Sequence, residues 1–208
     1  MKKINILGLA LLAVFAFGAI AATSAFATTP EWLVDTKALA LGETFHVETT
    51  GTLLLADLSF GVSLSCKGSG LGLVGADKTD LIETATATSC VLDPGSASCG
   101  TPFAKAVHLP WLTELLEPVA GEWRDDITSG GSGAPGWEVT CNGFLTDTCT
   151  TEAGATLMSN MAGEVPPDVL ANFNQGSIAN CSFGGNSSGE VSGEVLIEAL
   201  EGLSLAIS

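Results

Sequence analysis

Two histidines give this 208-residue chain little material for imidazole chemistry. They are His46 and His108, and the chain also has a Gly-x-Ser-x-Gly pattern at 185–189. In serine hydrolases that pattern places the nucleophile on an elbow between a strand and a helix, but no helix is predicted here and no histidine follows it. Either histidine could act with Asp57 or Asp125 in acid–base chemistry, yet nothing in the sequence brings them together. We therefore assign no catalytic residue.

One local group of acidic residues surrounds a tryptophan and is the best candidate for a binding site. It consists of Glu122, Trp123, Asp125 and Asp126. Paired carboxylates can cleave a glycosidic bond, and an amphipathic aromatic ring beside them can bind a sugar. The same pattern also occurs on ordinary amphipathic surfaces, and we prefer that interpretation while keeping these four residues as binding candidates.

Metal-ligand spacing is absent from the sequence. There is no Cys-x-x-Cys pair, and neither histidine stands at a zinc-ligand spacing from two cysteines. The acidic stretch Asp77–Asp80 lacks the alternating oxygen ligands and the distal glutamate of an EF-hand loop. We predict neither a metal site nor a cofactor, with a weak, irregular calcium site as the alternative left open.

All six cysteines follow residue 27, and an even number in an exported protein predicts three disulfides. Six cysteines allow 15 connectivities. Short loops favour Cys90–Cys99, which brackets an Asp-Pro-Gly turn, and Cys141–Cys149, which leaves Cys66–Cys181. The second pair conflicts with Asn142-Gly143, the preferred two-residue hairpin turn, because that hairpin would hold Cys141 and Cys149 roughly 15 Å apart. The disulfide pairs are Cys66 with Cys181, Cys90 with Cys99, and Cys141 with Cys149 in this prediction.

The N-terminus has the pattern of a secretory signal peptide. Lys2 and Lys3 precede a long apolar run, which closes on Ala25-Phe-Ala27. An uncleaved membrane anchor is the alternative, but the small-x-small end favours cleavage after Ala27. We predict a cleaved signal peptide at 1–27 and a single secreted β domain at 28–208. Cleavage removes two lysines and no acid, so the formal net charge changes from −16 to −18.

The elements that must position these residues are strands. Apolar and polar residues alternate along most of the chain, as in Trp137-Glu-Val-Thr-Cys141, and this period is typical of half-buried antiparallel strands. We predict an all-β fold: a single antiparallel β-sandwich or an irregular barrel-like domain, joined by disulfides. Short helices are alternatives only at Trp111–Leu116 and Pro167–Phe173.

Two glycine-rich stretches carry further structural predictions. Thr128–Gly136 is rich in Gly and Ser and predicts a flexible loop, or a boundary between two domains, of which we prefer the loop. Gly68, Gly70 and Gly72 fall on one face of a predicted strand. Such glycines indicate a bend or an aromatic ring packed over that face, or alternatively a flat face for a ligand.

Several motifs after residue 27 occur together in one group of proteins. They are Cys66-x-Gly-x-Gly, His108-Leu-Pro-Trp111-Leu-Thr-Glu114-Leu, Gly136-Trp-Glu-Val-Thr-Cys141, Thr146-Asp-Thr-Cys149-Thr and Cys181-Ser-x-Gly-Gly. In these the chain resembles a group of small secreted actinobacterial proteins of unknown function. The resemblance implies an exported, disulfide-bearing and β-rich protein, and it transfers no catalytic residue.

The charge restricts the partners. With 23 acidic and 7 basic side chains, the protein has the wrong sign for nucleic acid and for an anionic membrane surface. We expect no nucleic acid and, after cleavage, no membrane. We predict an exported, non-catalytic protein of the cell envelope or extracellular space, with a binding or structural role toward a cell-wall or matrix glycan or protein. The alternatives are a secreted hydrolase of polysaccharide or peptide, and an inhibitor with a protruding loop at 90–99.

Overall fold

The structure is a computed structural model, which describes residues 29–208 except 59, 77, 120–121, 144, 152, 161–167 and 183–186. The predicted signal peptide at 1–27 lies outside the described residues. Among the residues described, no helix is long and apolar enough to cross a membrane.

The predicted all-β fold is confirmed, with fourteen strands and one three-residue 3-10 turn at Leu200–Gly202. Both segments that could have been helical, Trp111–Leu116 and Pro167–Phe173, contribute to strands instead. The strands are β1 (Trp32–Val34), β2 (Lys37–Ala38), β3 (Thr44–Asp57), β4 (Val62–Gly75), β5 (Thr79–Leu92), β6 (Phe103–Val107), β7 (Trp111–Val119), β8 (Glu122–Ser129), β9 (Gly136–Cys141), β10 (Leu145–Thr150), β11 (Ala153–Asn160), β12 (Val169–Cys181), β13 (Ser187–Ala199) and β14 (Leu205–Ile207).

Eleven strands, β3 to β13, form one antiparallel sheet that closes on itself. Five long strands, β3, β4, β5, β12 and β13, each make a full row of this sheet. Three further rows consist of two strands lying end to end: β6 with β7, β8 with β9, and β10 with β11. Each row pairs with the next row in the chain, and β13 pairs with β3 from Gly189↔Asp57 to Ala199↔Val47. The result is an eight-row, up-and-down closed sheet, so the barrel-like alternative describes the fold better than the sandwich.

The wall is interrupted where the two-strand rows are divided. The Leu109-Pro110 peptide bond is cis and separates β6 from β7, and residues 130–135 separate β8 from β9. The hydroxyl of Ser132 donates to the carbonyl of His108 at 2.6 Å, and His108 Nδ1 lies 2.7 Å from the carbonyl oxygen of Ala134. The predicted Gly/Ser loop is therefore shorter than 128–136 and is tied to the neighbouring row. The strands on both sides of it belong to the same closed sheet.

A small sheet of β1, β2 and β14 covers one end of the closed sheet. Its apolar side chains pack against those at the ends of the long strands, in a cluster that contains Trp32, Leu205, Val47, Val74 and Leu115. All five are buried. The termini of the described chain therefore form part of the core.

The other end is covered by the segment between β5 and β6. The backbone N–H of Ala97 donates to the carbonyl of Gly61 at 2.6 Å, and the N–H of Gly100 donates to Asn142 Oδ1 at 3.0 Å. Cys99 lies within this segment and is only 1% exposed. Because the segment is fastened to two neighbouring turns, it does not protrude as an inhibitory loop at 90–99 would.

All six cysteines form disulfides, as predicted, but the predicted pairs are wrong. The structure joins Cys66 to Cys90, Cys99 to Cys141, and Cys149 to Cys181. Each bond links segments that are neighbours in space. Cys141 and Cys149 cannot bond, because their hairpin pairs Cys141 with Leu145 and Cys149 with Trp137. Those two pairs are four residues apart along the ribbon, which is roughly 13 Å.

We expect tryptic peptides of the unreduced protein to show this connectivity. Cleavage after Lys37, Lys67, Lys78, Lys105 and Arg124 yields the cysteine peptides 38–67, 79–105 and 125–208. The observed pairs hold all three peptides in one species, which mass spectrometry would detect after digestion of the denatured, unreduced chain. The rival pairing would release 79–105 by itself, because Cys90 and Cys99 both lie within it. A reduced digest, in which every peptide is free, is the control.

Candidate functional site

The interior of the closed sheet contains a cavity of about 170 Å³. Closed sheets of eight strands have an interior that side chains just fill or that holds one small ligand. The cavity wall is mainly apolar and combines buried with half-buried side chains. Its principal apolar lining residues are Leu53, Leu55, Ile82, Trp111, Ile127, Trp137, Val139, Met158, Phe173, Val191 and Val195.

Two tryptophans form one part of this wall. The rings of Trp111 and Trp137 meet edge to face, with centroids 6.0 Å apart and planes at 77°. Trp111 Nε1 donates to the carbonyl of Val107 at 2.8 Å, so the indole has its polar atom satisfied. Both residues are buried, at 6% and 8% exposure. The pair presents a large, fixed aromatic surface to the cavity.

Two of the three glycines predicted on one face of β4 belong to this wall, and Gly70 is not among the lining residues. Gly68 and Gly72 line the cavity. A side chain at Gly72 would meet the carbonyl oxygen of Leu81 at 2.5 Å, so close approach of β5 requires glycine there. At Gly68 the nearest atom to an added Cβ is Leu53 Cδ1, at an ordinary 3.4 Å. The β4–β5 register shifts between Leu71 and Gly72, in agreement with the predicted bend. The ligand face at these glycines stays a prediction.

A polar group lies at the end of the cavity nearest to β1. It consists of Asp80, Thr113 and Asp125, all buried and all lining the cavity. Trp32 Nε1 donates to Asp80 Oδ2 at 2.7 Å, and the backbone N–H of Gly75 donates to Asp80 Oδ1 at 2.9 Å. Asp80 thus attaches the N-terminal cap to the closed sheet.

Burial dominates the electrostatics of Asp125. Loss of solvent raises the pKa of Asp125 from an ordinary 3.8 to about 7, and the negative charges of Asp126 and Glu114 act in the same direction. The hydrogen bond with the Thr113 side chain opposes the increase, because it stabilises the carboxylate. Asp125 therefore changes its charge near neutral pH.

Of the three predicted binding residues whose side chains the structure describes, Asp125 lines the cavity and Trp123 and Asp126 do not. All four lie on β8, where successive side chains point to opposite faces of the sheet. Trp123 is half-buried and packs against the cluster beneath the N-terminal cap. Asp126 forms an ion pair with Arg124 at 3.2 Å on the other face. The Glu122 side chain lies outside what the structure describes, and the other three do not form one surface patch.

The residues considered for catalysis lie on different parts of the molecule. His46 is exposed on β3, and His108 is exposed beside the interruption in the wall. Asp57 is buried at the far end of β3, where its Oδ1 accepts from the N–H of Phe60 at 3.0 Å. The Gly-x-Ser-x-Gly pattern is only partly described, because Gly185 and Asn186 lie outside the described residues, and so does Asp77.

A second group of acids lies beside a disulfide at the far end of the sheet. Oxygens of Asp57 and Asp147 lie within 4.8 Å of each other and of the sulfurs of Cys149 and Cys181. The sulfurs are bonded to each other, so they offer no thiolate to a metal. Asp147 Oδ1 instead accepts a hydrogen bond from the Ser182 hydroxyl at 2.6 Å. We interpret these carboxylates as part of the structural closure of this end.

Thr113 was not singled out from the sequence, and Asp80 was considered only as part of the Asp77–Asp80 stretch for calcium. The sequence carried a clearer signal for Asp125, because Trp123-x-Asp125-x-Ile127 places its carboxylate on the apolar face of an alternating strand. A buried acid at such a position is unusual and often functional.

The chain matches no family model, no curated protein and no solved structure. The resemblance to secreted actinobacterial proteins therefore stays a prediction. Functional inference rests on the cavity and its lining.

Proposed function

We propose that this protein is an exported, non-catalytic binding protein of the extracellular space or cell envelope, which holds one small apolar molecule inside its closed sheet. The observation that carries the proposal is the apolar cavity of about 170 Å³ lined by side chains of the closed sheet. An engineered cavity of about 150 Å³ with an apolar lining stays dry and binds benzene. A ligand with a single six-membered ring is therefore of suitable size.

The geometry favours a ligand role for this space over a packing defect. Well-packed interiors contain few voids larger than a water molecule, and an empty apolar cavity costs stability. Here Gly68 and Ala85 supply little side-chain volume on two adjacent rows, so the space follows from the residue types. Ligand sites are commonly concave, apolar and lined by aromatic residues, with a few placed polar groups.

The export component is supported by the predicted signal peptide and by three disulfides. Disulfides form and persist in oxidising compartments and are rare in the cytosol. The acidic composition is consistent with a soluble role outside the cell, and it favours neither nucleic acid nor an anionic membrane as partner.

We expect benzene and cyclohexanol to bind to the purified, oxidised protein and to change its tryptophan fluorescence, because Trp111 and Trp137 line the cavity. Isothermal titration calorimetry provides an independent measure of the dissociation constant. The Ala85→Leu substitution should weaken binding by about tenfold or more, because the larger side chain occupies much of the cavity, while unfolding free energy falls by no more than about 3 kcal/mol.

The matched control is Ala38→Leu, which adds the same atoms at an exposed position of β2. It should leave ligand affinity unchanged. If benzene and cyclohexanol produce no heat and no fluorescence change with the wild-type protein, the proposed function is wrong. Equal affinity of the wild type and Ala85→Leu would place binding outside this cavity.

A further inference from the structure

The cavity has two chemically different ends. Trp111 and Trp137 form an aromatic surface in one region, whereas Asp80, Thr113 and Asp125 line the region below the N-terminal cap. Among the described residues that line the cavity there is no lysine, arginine or histidine. An enclosed apolar space thus carries buried acidic groups and no basic side chain in its wall.

We infer that the ligand is a small apolar amine, whose ammonium group lies against Asp125 while its hydrocarbon body lies against the aromatic and aliphatic wall. This inference rests on the proposed function and specifies the class of ligand for the same cavity. Asp125 is then a specificity-determining residue of the site.

Charge complementarity is the first physical reason. A carboxylate removed from water is costly unless an opposite charge compensates it, and an ammonium ion supplies that charge together with several hydrogen-bond donors. The Thr113 side chain forms a hydrogen bond with Asp125, but a hydroxyl carries no charge to balance it. Asp80 places a second carboxyl group on the same region of the wall.

The aromatic wall is the second reason. Aromatic rings attract cations over their faces and also bury hydrocarbon well, so Trp111 and Trp137 suit an amine with a compact apolar body. A neutral alcohol of equal shape would gain the same apolar contacts and lack the ionic one. The difference in affinity between the amine and the alcohol therefore measures the contribution of the acidic end of the cavity.

The preference of the cavity for an amine over a neutral ligand must depend on pH, because Asp125 titrates near neutrality. Among the described side chains, the titratable groups around Asp125 are Asp80 on β5, Glu114 on β7 and Asp126 on β8. Burial raises the pKa of Asp125 to about 7, so the group is charged at about pH 8 and protonated at about pH 5.5. An amine stays protonated at both pH values. Its affinity should therefore exceed that of a neutral ligand at about pH 8 and lose this advantage at about pH 5.5.

The test compares cyclohexylamine with cyclohexanol by calorimetry. We expect the wild-type protein at about pH 8 to bind the amine about tenfold more tightly than the alcohol, a preference that falls to about threefold or less at about pH 5.5. Asp125→Asn should lose the preference for the amine over the alcohol at both pH values. Asp126→Asn removes a charge from the outer face of the same strand and should retain the preference.

Each outcome separates this inference from the proposed function. If cyclohexanol binds as tightly as cyclohexylamine at about pH 8, the amine class is wrong and the apolar-ligand function stands. If neither compound binds, the proposed function fails and the inference fails with it. If Asp125→Asn keeps the preference while a melting curve shows it folded, Asp125 is not the group that recognises the amine.

Discussion

Reduction of the three disulfides is expected to unfold this protein at physiological temperature. The bonds join cysteines separated by 24, 42 and 32 residues. In the chain-entropy model each such bond stabilises the folded state by about 3–4 kcal/mol, because it restricts the unfolded chain. Domains have unfolding free energies of about 5–15 kcal/mol in total, so the loss of all three is comparable with the whole stability.

The measurement is circular dichroism of the protein after reduction and alkylation, compared with the same protein alkylated without reduction. We expect the reduced chain to lose its β spectrum and its cooperative melting transition. A paired Cys99→Ala/Cys141→Ala variant should lose about 3–4 kcal/mol in urea unfolding and leave the other two bonds intact. A fully reduced chain that melts within a few degrees of the oxidised protein would contradict this prediction.

Asp125→Asn is expected to stabilise the protein at about pH 8 by up to about 4 kcal/mol. Burial raises the pKa of Asp125 from 3.8 to about 7, so the folded state binds the proton more tightly than the unfolded state. Stability from this group is present below the unfolded pKa and is lost as the pH rises from about 4 to about 7. Three pKa units correspond to about 4 kcal/mol, at about 1.4 kcal/mol per unit. Asparagine has nearly the same shape and pays no cost of ionisation.

Urea unfolding of the wild type and Asp125→Asn across this pH range would measure the effect. The difference in unfolding free energy between the two proteins should grow with pH between about 4 and 7 and stay constant above that range. Asp126→Asn is the control, since its carboxylate is partly exposed and forms a surface ion pair with Arg124, and its difference from wild type should stay within about 1 kcal/mol. A difference between wild type and Asp125→Asn that is independent of pH would show that Asp125 is not buried as the structure describes.

The strands were the most predictable feature, and β9 shows why. Alternation in Trp137-Glu-Val-Thr-Cys141 matches its burial pattern, in which Trp137, Val139 and Cys141 point inward. Alternation is a local property of the sequence, because successive side chains of any strand point to opposite faces. It says which side chains share a face and not which other strand that face will meet.

The disulfides show where local reasoning fails. The Asp93-Pro-Gly95 turn suggested a short Cys90–Cys99 loop, but Ser89 adopts a positive φ of 51° near an irregularity in the β4–β5 register. Cys90 thereby points inward and bonds to Cys66 on the adjacent strand. The partner of a cysteine depends on which strands are neighbours, and sequence proximity is a poor guide to that.

The binding candidates show the same difference between what local sequence predicts and what strand pairing decides. Asp125 was identified from its acidic neighbours, as a member of a surface group. Its position on the inward face of β8, beside Thr113 and across the cavity from apolar side chains, depends on closure of the sheet. That closure requires the pairing of β13 with β3, which are distant in the chain.

By itself, the sequence determined the class of structure, the alternation of inward and outward side chains, and the oxidation of all six cysteines. These follow from local periodicity and composition. Only the tertiary structure decided that the sheet closes, which cysteines pair, and that Asp80 and Asp125 share an apolar interior with two tryptophans. The physical reason is that a cavity and its charge exist only between strands, and their pairing depends on contacts between residues far apart in the chain.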